Sequence, residues 1–138
     1  MPARDFYHDI VRKALVKDGW TITDDPLTLK FGETELYVDL GAEKVIAAEK
    51  GNDKIAVEIK SFLGKSIIAE TQDAIGQFIM YREVLNDYEA DRMLFLAIAE
   101  EVFEIDFTEA LRNLVLERLK IKVLIFDSEK EEITKWLT

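Results

Sequence analysis

Apolar residues recur at helical spacing between about Asp5 and Asp18, where Tyr7, Ile10, Val11, Ala14 and Leu15 fall on one face and Gly19 suits the C-terminal cap. Trp20-Thr21-Ile22-Thr23 then reads as a short strand, stopped by Asp24-Asp25-Pro26, with a short extended piece at Leu27–Phe31 before Gly32. Over Leu36–Leu40, Leu36, Val38 and Leu40 alternate with Tyr37 and Asp39, the period of a strand. Val45–Ala48 and Lys54–Lys60 flank Gly51-Asn52-Asp53, which predicts a turn between two strands. In the second of these, Ile55, Val57 and Ile59 point to one face, and Ala56, Glu58 and Lys60 to the other.

A long helix is expected from Ser66 to about Asn86, with Ile68, Ile75, Ile79 and Val84 among its apolar positions. Met93–Ala99 lacks polar alternation and reads as a central buried strand. Asp106 followed by Glu109 predicts a capping box for a helix to about Leu119, and Ile121–Phe126 is a second buried strand. Ser128 and Glu131 repeat the capping signature before a last helix ending near Trp136. Antiparallel strands come first and strands alternating with helices follow. The fold class is therefore α/β, a central mixed sheet with helices on both faces in αβββαβαβα order.

Composition narrows the picture. A chain of 138 residues with 49% hydrophobic content is one domain, 1–138, able to bury a real core. It has no cysteine, which removes disulfides, thiolate metal sites and thiol nucleophiles. The start, Met1-Pro2-Ala3-Arg4-Asp5, has no signal-peptide character, and no apolar run nears the ~20 residues that span a bilayer. A soluble, cytoplasmic protein without membrane contact is expected. The net charge of −10, from 18 Lys and Arg against 28 Asp and Glu, is unfavourable for holding DNA phosphates without help.

Against that background Asp39, Glu58 and Lys60 stand out. Two neighbouring strands can bring two carboxylates and one ammonium together at the edge of a buried sheet, where the carboxylates repel and lose solvation. A divalent cation relieves both effects. A solvated strand face with a Glu–Lys ion pair would give the same short pattern and contribute ~0.2–1 kcal/mol. The helix that follows adds Gln77 and Tyr81, four apart and on one helical face, so both could hydrogen-bond toward the same site. His8 is the single histidine, and with no cysteine present neither a Ser–His–Asp nor a Cys–His arrangement has support.

An Asp on one strand and Glu-x-Lys on the next, in this element order, is similar to the PD-(D/E)xK restriction-endonuclease-like superfamily. Asp39 matches the Asp, Glu58 the acidic residue and Lys60 the Lys, while Val38 stands where the name-giving Pro would be. Gln77-Phe78-Ile79-Met80-Tyr81 looks like the Gln-x-x-x-Tyr motif of RecB-like nucleases. The chain as a whole resembles the cyanobacterial XisH family of fdxN-element excision controlling factors. The resemblance rests on Asp18-Gly19-Trp20-Thr21-Ile22-Thr23-Asp24-Asp25-Pro26-Leu27, Asp39-Leu40-Gly41-Ala42-Glu43, Val57-Glu58-Ile59-Lys60-Ser61-Phe62 and Ala74-Ile75-Gly76-Gln77-Phe78.

The superfamily resemblance implies magnesium or manganese held by Asp39 and Glu58, with a backbone carbonyl near Ile59. Lys60 would orient the attacking water, Gln77 contact water or phosphate, and Tyr81 support either. It further implies that an acidic residue of the first helix, Asp5 or Asp9, could join the site, whereas His8 reads as packed or a cap partner, with a place in the site left open. The family resemblance implies a part in DNA-element excision during differentiation, beside a recombinase and an XisI-like partner protein, with DNA bound only in complex. It leaves two readings open: a magnesium-dependent endodeoxyribonuclease, or a catalytically silent accessory module acting through protein–protein contacts, self-association included.

Overall fold

The computed structural model describes residues 5–47, 51–64 and 66–138. Helix α1 (His8–Lys17) buries Val11, Ala14 and Leu15. Gly19, at φ 95°, ends it in a Schellman turn, with the Trp20 and Gly19 N–H groups donating to the Leu15 and Val16 carbonyls at 3.0 Å each. The cap expected from sequence is therefore present.

Strand β1 (Thr21–Asp24) leads into a two-stranded hairpin of β2 (Leu27–Phe31) and β3 (Thr34–Val38). Strands β4 (Leu40–Ala47) and β5 (Gly51–Ile59) then join the main sheet as an antiparallel pair. The strand expected over Leu36–Leu40 is thus split at Asp39. Leu36 pairs with Leu29 in the hairpin, and Leu40 pairs with Val57 in the main sheet. Gly51-Asn52-Asp53 does not form the expected turn. These residues open β5 and pair back onto Ala47, Val45 and Lys44; Ala48, the end of the expected first strand, lies outside the described residues.

Helix α2 (Ile67–Tyr88) starts at Ser66, whose Oγ accepts from the Ala69 N–H at 3.1 Å. Its buried face is Thr71, Ala74, Phe78, Tyr81, Val84 and Leu85, rotated from the Ile68–Ile75–Ile79 stripe expected from sequence. Ile68 stays about half exposed, because the aromatic rings of Phe78 and Tyr81 reach the sheet and set the helix's rotation. Strand β6 (Arg92–Ala99) is buried almost throughout, as its apolar run predicts.

A π-helical turn at Val102–Asp106 precedes α3 (Glu109–Asn113). Asp106 belongs to that turn, and the N-cap is Thr108, whose Oγ1 accepts from the Leu111 N–H at 3.1 Å. A second π-helical turn, Leu114–Arg118, leads to β7 (Val123–Asp127). The expected last helix is instead an antiparallel edge strand, β8 (Glu132–Leu137). The Ser128 hydroxyl donates to the Glu101 carboxylate at 3.0 Å instead of capping, and Asp127 Oδ1 takes the Glu129 and Lys130 N–H groups in a turn. Trp136 then packs edge-on against Phe95 and beside Trp20, burial that a helix in water could not provide.

The main sheet runs β1-β4-β5-β6-β7-β8, parallel across β5, β6 and β7 and antiparallel elsewhere. Helix α1 packs against β1 and β8, and α2 against β6 and the hairpin strand β2. Phe95 meets Trp136 of β8, and Leu94 and Phe78 of α2 line one cavity beside β6. The fold is therefore a mixed α/β sheet flanked by helices. Among the described residues no helix is long and apolar enough to cross a membrane.

Candidate metal centre

The break between β3 and β4 sets Asp39 where the hairpin meets the main sheet. Leu40 pairs with Val57, so Asp39 falls opposite Glu58. Each carboxylate also ties to the other's strand. The Ile59 N–H donates to Asp39 Oδ2 at 2.7 Å, and the Asp39 N–H donates to Glu58 Oε1 at 3.3 Å. One oxygen of each group is thereby committed to backbone, and the carboxyls interact directly.

Burial makes that closeness costly. Glu58 is 7% exposed, and its pKa is pushed up to about 9, first by burial and then by the Asp39 charge. Asp39 is raised as well, chiefly by burial, against the pull of the Ile59 N–H. The pair therefore keeps a proton at neutral pH unless another cation takes its place. The Lys60 ammonium lowers Glu58 only weakly and forms no ion pair with a described residue. A Glu–Lys ion pair is not what holds this corner together.

Tyr81 reaches the same corner from α2. Its hydroxyl is raised to about 12 by burial and by the charges of Glu58 and Asp39. Gln77, one turn earlier, is exposed and makes no hydrogen bond with a described residue. It stands on the rim, and Tyr81 stands inside. Asp5 lies close enough to raise Asp39, and its own Oδ2 accepts from the Ser61 N–H at 3.0 Å, which fixes the chain just after Lys60. His8 is buried beside the site and lowers Asp39; its Nε2 meets Asp25 Oδ1 at 2.7 Å, and Arg12 pairs with the same carboxylate. Asp9 is exposed on α1. No spacing rule marks Asp5 as a partner of Ser61, since 56 residues separate them.

The donor set is oxygen only. Among the described residues no three His, Cys, Asp or Glu side chains gather tightly enough to encase an ion. Two carboxylates suit magnesium, which keeps several waters and commonly takes only one or two carboxylates from protein. They do not suit zinc, which wants three or four nitrogen or sulfur donors.

The family model of the XisH protein matches residues 1–134. The chain belongs to the XisH family. Every residue of the XisH corner just described lies inside the matched span. A crystal structure of an XisH family protein from Nostoc punctiforme is 39% identical to this chain, covers 97% of it and 100% of its own, and has a TM-score of 0.86. A second crystal structure, of an fdxN element excision controlling factor protein from Anabaena variabilis, is 41% identical, covers 98% and 100%, and also has a TM-score of 0.86. None of the curated proteins matches this XisH chain.

Proposed function

We propose that this XisH chain has a restriction-endonuclease-like core whose PD-(D/E)xK-type site hydrolyses DNA phosphodiesters with a divalent ion, in the control of DNA-element excision. One observation carries the reading: a buried Glu58 faces the half-buried Asp39, the Glu58 pKa is pushed up to about 9 by burial and by the Asp39 charge, and Lys60 offsets that only in part. That is the electrostatic signature of a site waiting for a cation. The excision role follows the name of the Anabaena variabilis relative.

Asp39 and Glu58 would hold magnesium or manganese through their remaining carboxylate oxygens. The ion, when bound, would polarise the phosphodiester and acidify a bound water. Lys60 would orient that water and stabilise charge gathering on the phosphate oxygens. Tyr81 presents a hydroxyl that stays protonated throughout the physiological range, so it serves as a donor and never as a base. Asp5 holds Ser61, and through it the direction of Lys60. Gln77, at the rim, is available to an incoming strand.

The net charge of −10 favours a second reading, in which the chain acts in a complex with an XisI-like protein and a recombinase and is silent alone. One experiment separates the two: supercoiled plasmid incubated with magnesium or manganese, with and without the partner. Nicking that needs metal and vanishes in Asp39→Asn and Lys60→Met is the expected result. No cleavage under either condition, with metal binding intact, would leave only the accessory role.

A further inference from the structure

At the opposite end of the sheet from Glu58 the chain gathers cations around a cavity of about 220 Å³. Arg92 opens β6 opposite Lys54, four positions before Glu58 on β5, which sets the cavity about 13 Å along the strand from the carboxylate pair. Arg82, Arg92, Lys120 and Lys122 line it, with the Asn86 amide and an apolar floor that includes Leu94. None of its lining residues is acidic, although Glu89 and Glu43 pair with Arg92 and Glu83 with Arg82 from outside it, so the unpaired charge at the cavity is that of Lys120 and Lys122.

The four cations differ in what they already do. Arg92 is buried, and donates to Glu89 Oε2 at 2.5 Å and to the Ile55 carbonyl at 2.9 Å. Arg82 donates to the Leu119 and Lys120 carbonyls at 3.1 and 3.2 Å and so braces the turn that carries both lysines. Lys120 and Lys122 form no ion pair with a described residue. Their backbone is nonetheless held firmly: the Leu96 N–H donates to the Lys122 carbonyl and the Ile121 N–H to the Val115 carbonyl, both at 2.9 Å. Lys120 sits at φ 55°, a conformation that helix ends usually give to glycine or asparagine. The Arg82 bond to its carbonyl and the Ile121 N–H bond to Val115 hold it in that conformation.

Two lysines lining one small recess bring positive charge to it, and an anion with several acceptor oxygens pairs with such charge. A phosphate is compact, carries up to two charges, and has oxygens enough for both lysines and the Asn86 amide. We infer that this cavity is a phosphate-binding site, independent of metal and separate from the carboxylate pair. Its ligand is a phosphate seated between Lys120 and Lys122 with Arg82 behind them, delivered either free or as the terminal phosphate of a nucleic-acid strand.

The test is an amide NMR titration of the whole protein with inorganic phosphate, in EDTA and at constant ionic strength. The expected result is saturable shifts at Asn86, Met93, Lys120 and Lys122, with affinity at least tenfold weaker in a Lys120→Glu, Lys122→Glu double variant. Should that variant fail to fold by circular dichroism, Lys122→Gln is the substitute and should bind several-fold more weakly. Shifts that never saturate, that chloride reproduces, or that survive the substitutions would overturn the site. A 5′-phosphorylated trinucleotide against its 5′-hydroxyl form then separates the sources. Tighter binding of the phosphorylated strand than of inorganic phosphate assigns the strand end, and equal binding assigns free phosphate. Equal binding of the two trinucleotides, unaffected by the lysine substitutions, would count against phosphate recognition here.

Discussion

At the scale of residues, the decisive quantity is the proton on the carboxylate pair. The Glu58 pKa is raised from 4.5 to about 9, so the fold favours its neutral form. That contribution to stability is fully present below about pH 4.5, declines as pH climbs toward 9, and is gone above it. Within the window one such group changes unfolding free energy by at most about 1.4 kcal/mol per pH unit. Glu58→Gln keeps the shape and removes the ionisation. We expect denaturant unfolding in EDTA to show the variant more stable than wild type by about 1–3 kcal/mol near pH 8, with a flatter pH profile. A variant less stable at every pH would mean that Glu58 supports the fold as a charge.

Magnesium or manganese should act on the same pair from the other side. Binding displaces the shared proton, so the metal should raise the melting temperature of wild type more at pH 8 than at pH 6. At a concentration one hundred times Kd the gain is about 2.7 kcal/mol. Asp39→Ala should abolish it, and thermal melts with and without EDTA read it out. Equal metal effects in wild type and variant would place the ion elsewhere.

At the scale of elements, the edge strand β8 is held by aromatic packing. Trp136 lies 5.8 Å from Trp20 and 4.9 Å from Phe95 between ring centroids, which joins the last strand to the start of β1 and to the centre of the sheet. Trp136→Ala should therefore cost about 3 kcal/mol and weaken amide protection in β8 first. The Thr108 cap is a smaller matter: Thr108→Ala should cost about 1 kcal/mol by loss of one bond to the Leu111 N–H. Hydrogen exchange on both variants distinguishes strand loss from helix fraying. If Trp136→Ala left β8 as protected as in wild type, backbone pairing with β7 alone would be its anchor.

At the scale of the whole molecule, charge governs association. A −10 protein should bind duplex DNA weakly at physiological salt, with a salt slope of about −3 or shallower because few phosphates are neutralised. The expected outcome of gel-shift titrations is negligible binding by the chain alone and measurable binding with an XisI-like partner present. Tight, salt-sensitive binding by the isolated chain would contradict this, as would a complex that binds DNA no better than its parts. Leu63 and Ile68, at 59% and 51% exposure, are the first positions to substitute when mapping the partner contact.

Local pattern by itself determined the first helix and its Gly19 cap, the long second helix, the two buried strands, and the strand alternation that carries Glu58 on β5, with Lys60 just past its end. These features depend on period and turn chemistry, which neighbours along the chain carry. Tertiary structure decided the rest. Ser128 and Glu131 spell a helix start, yet Glu101 takes the Ser128 hydroxyl and Trp136 finds Phe95 and Trp20, so the segment pairs with β7 as a strand. The rotation of α2 followed Phe78 and Tyr81 and not the isoleucine stripe, which brought Tyr81 inside and left Gln77 at the rim. Asp5 reached Ser61, and four cations met around one cavity, across separations that no local spacing encodes. Period and turn signals act over a few residues, whereas burial free energy is shared among all the surfaces that meet, so partners distant in sequence settle what local preference leaves open.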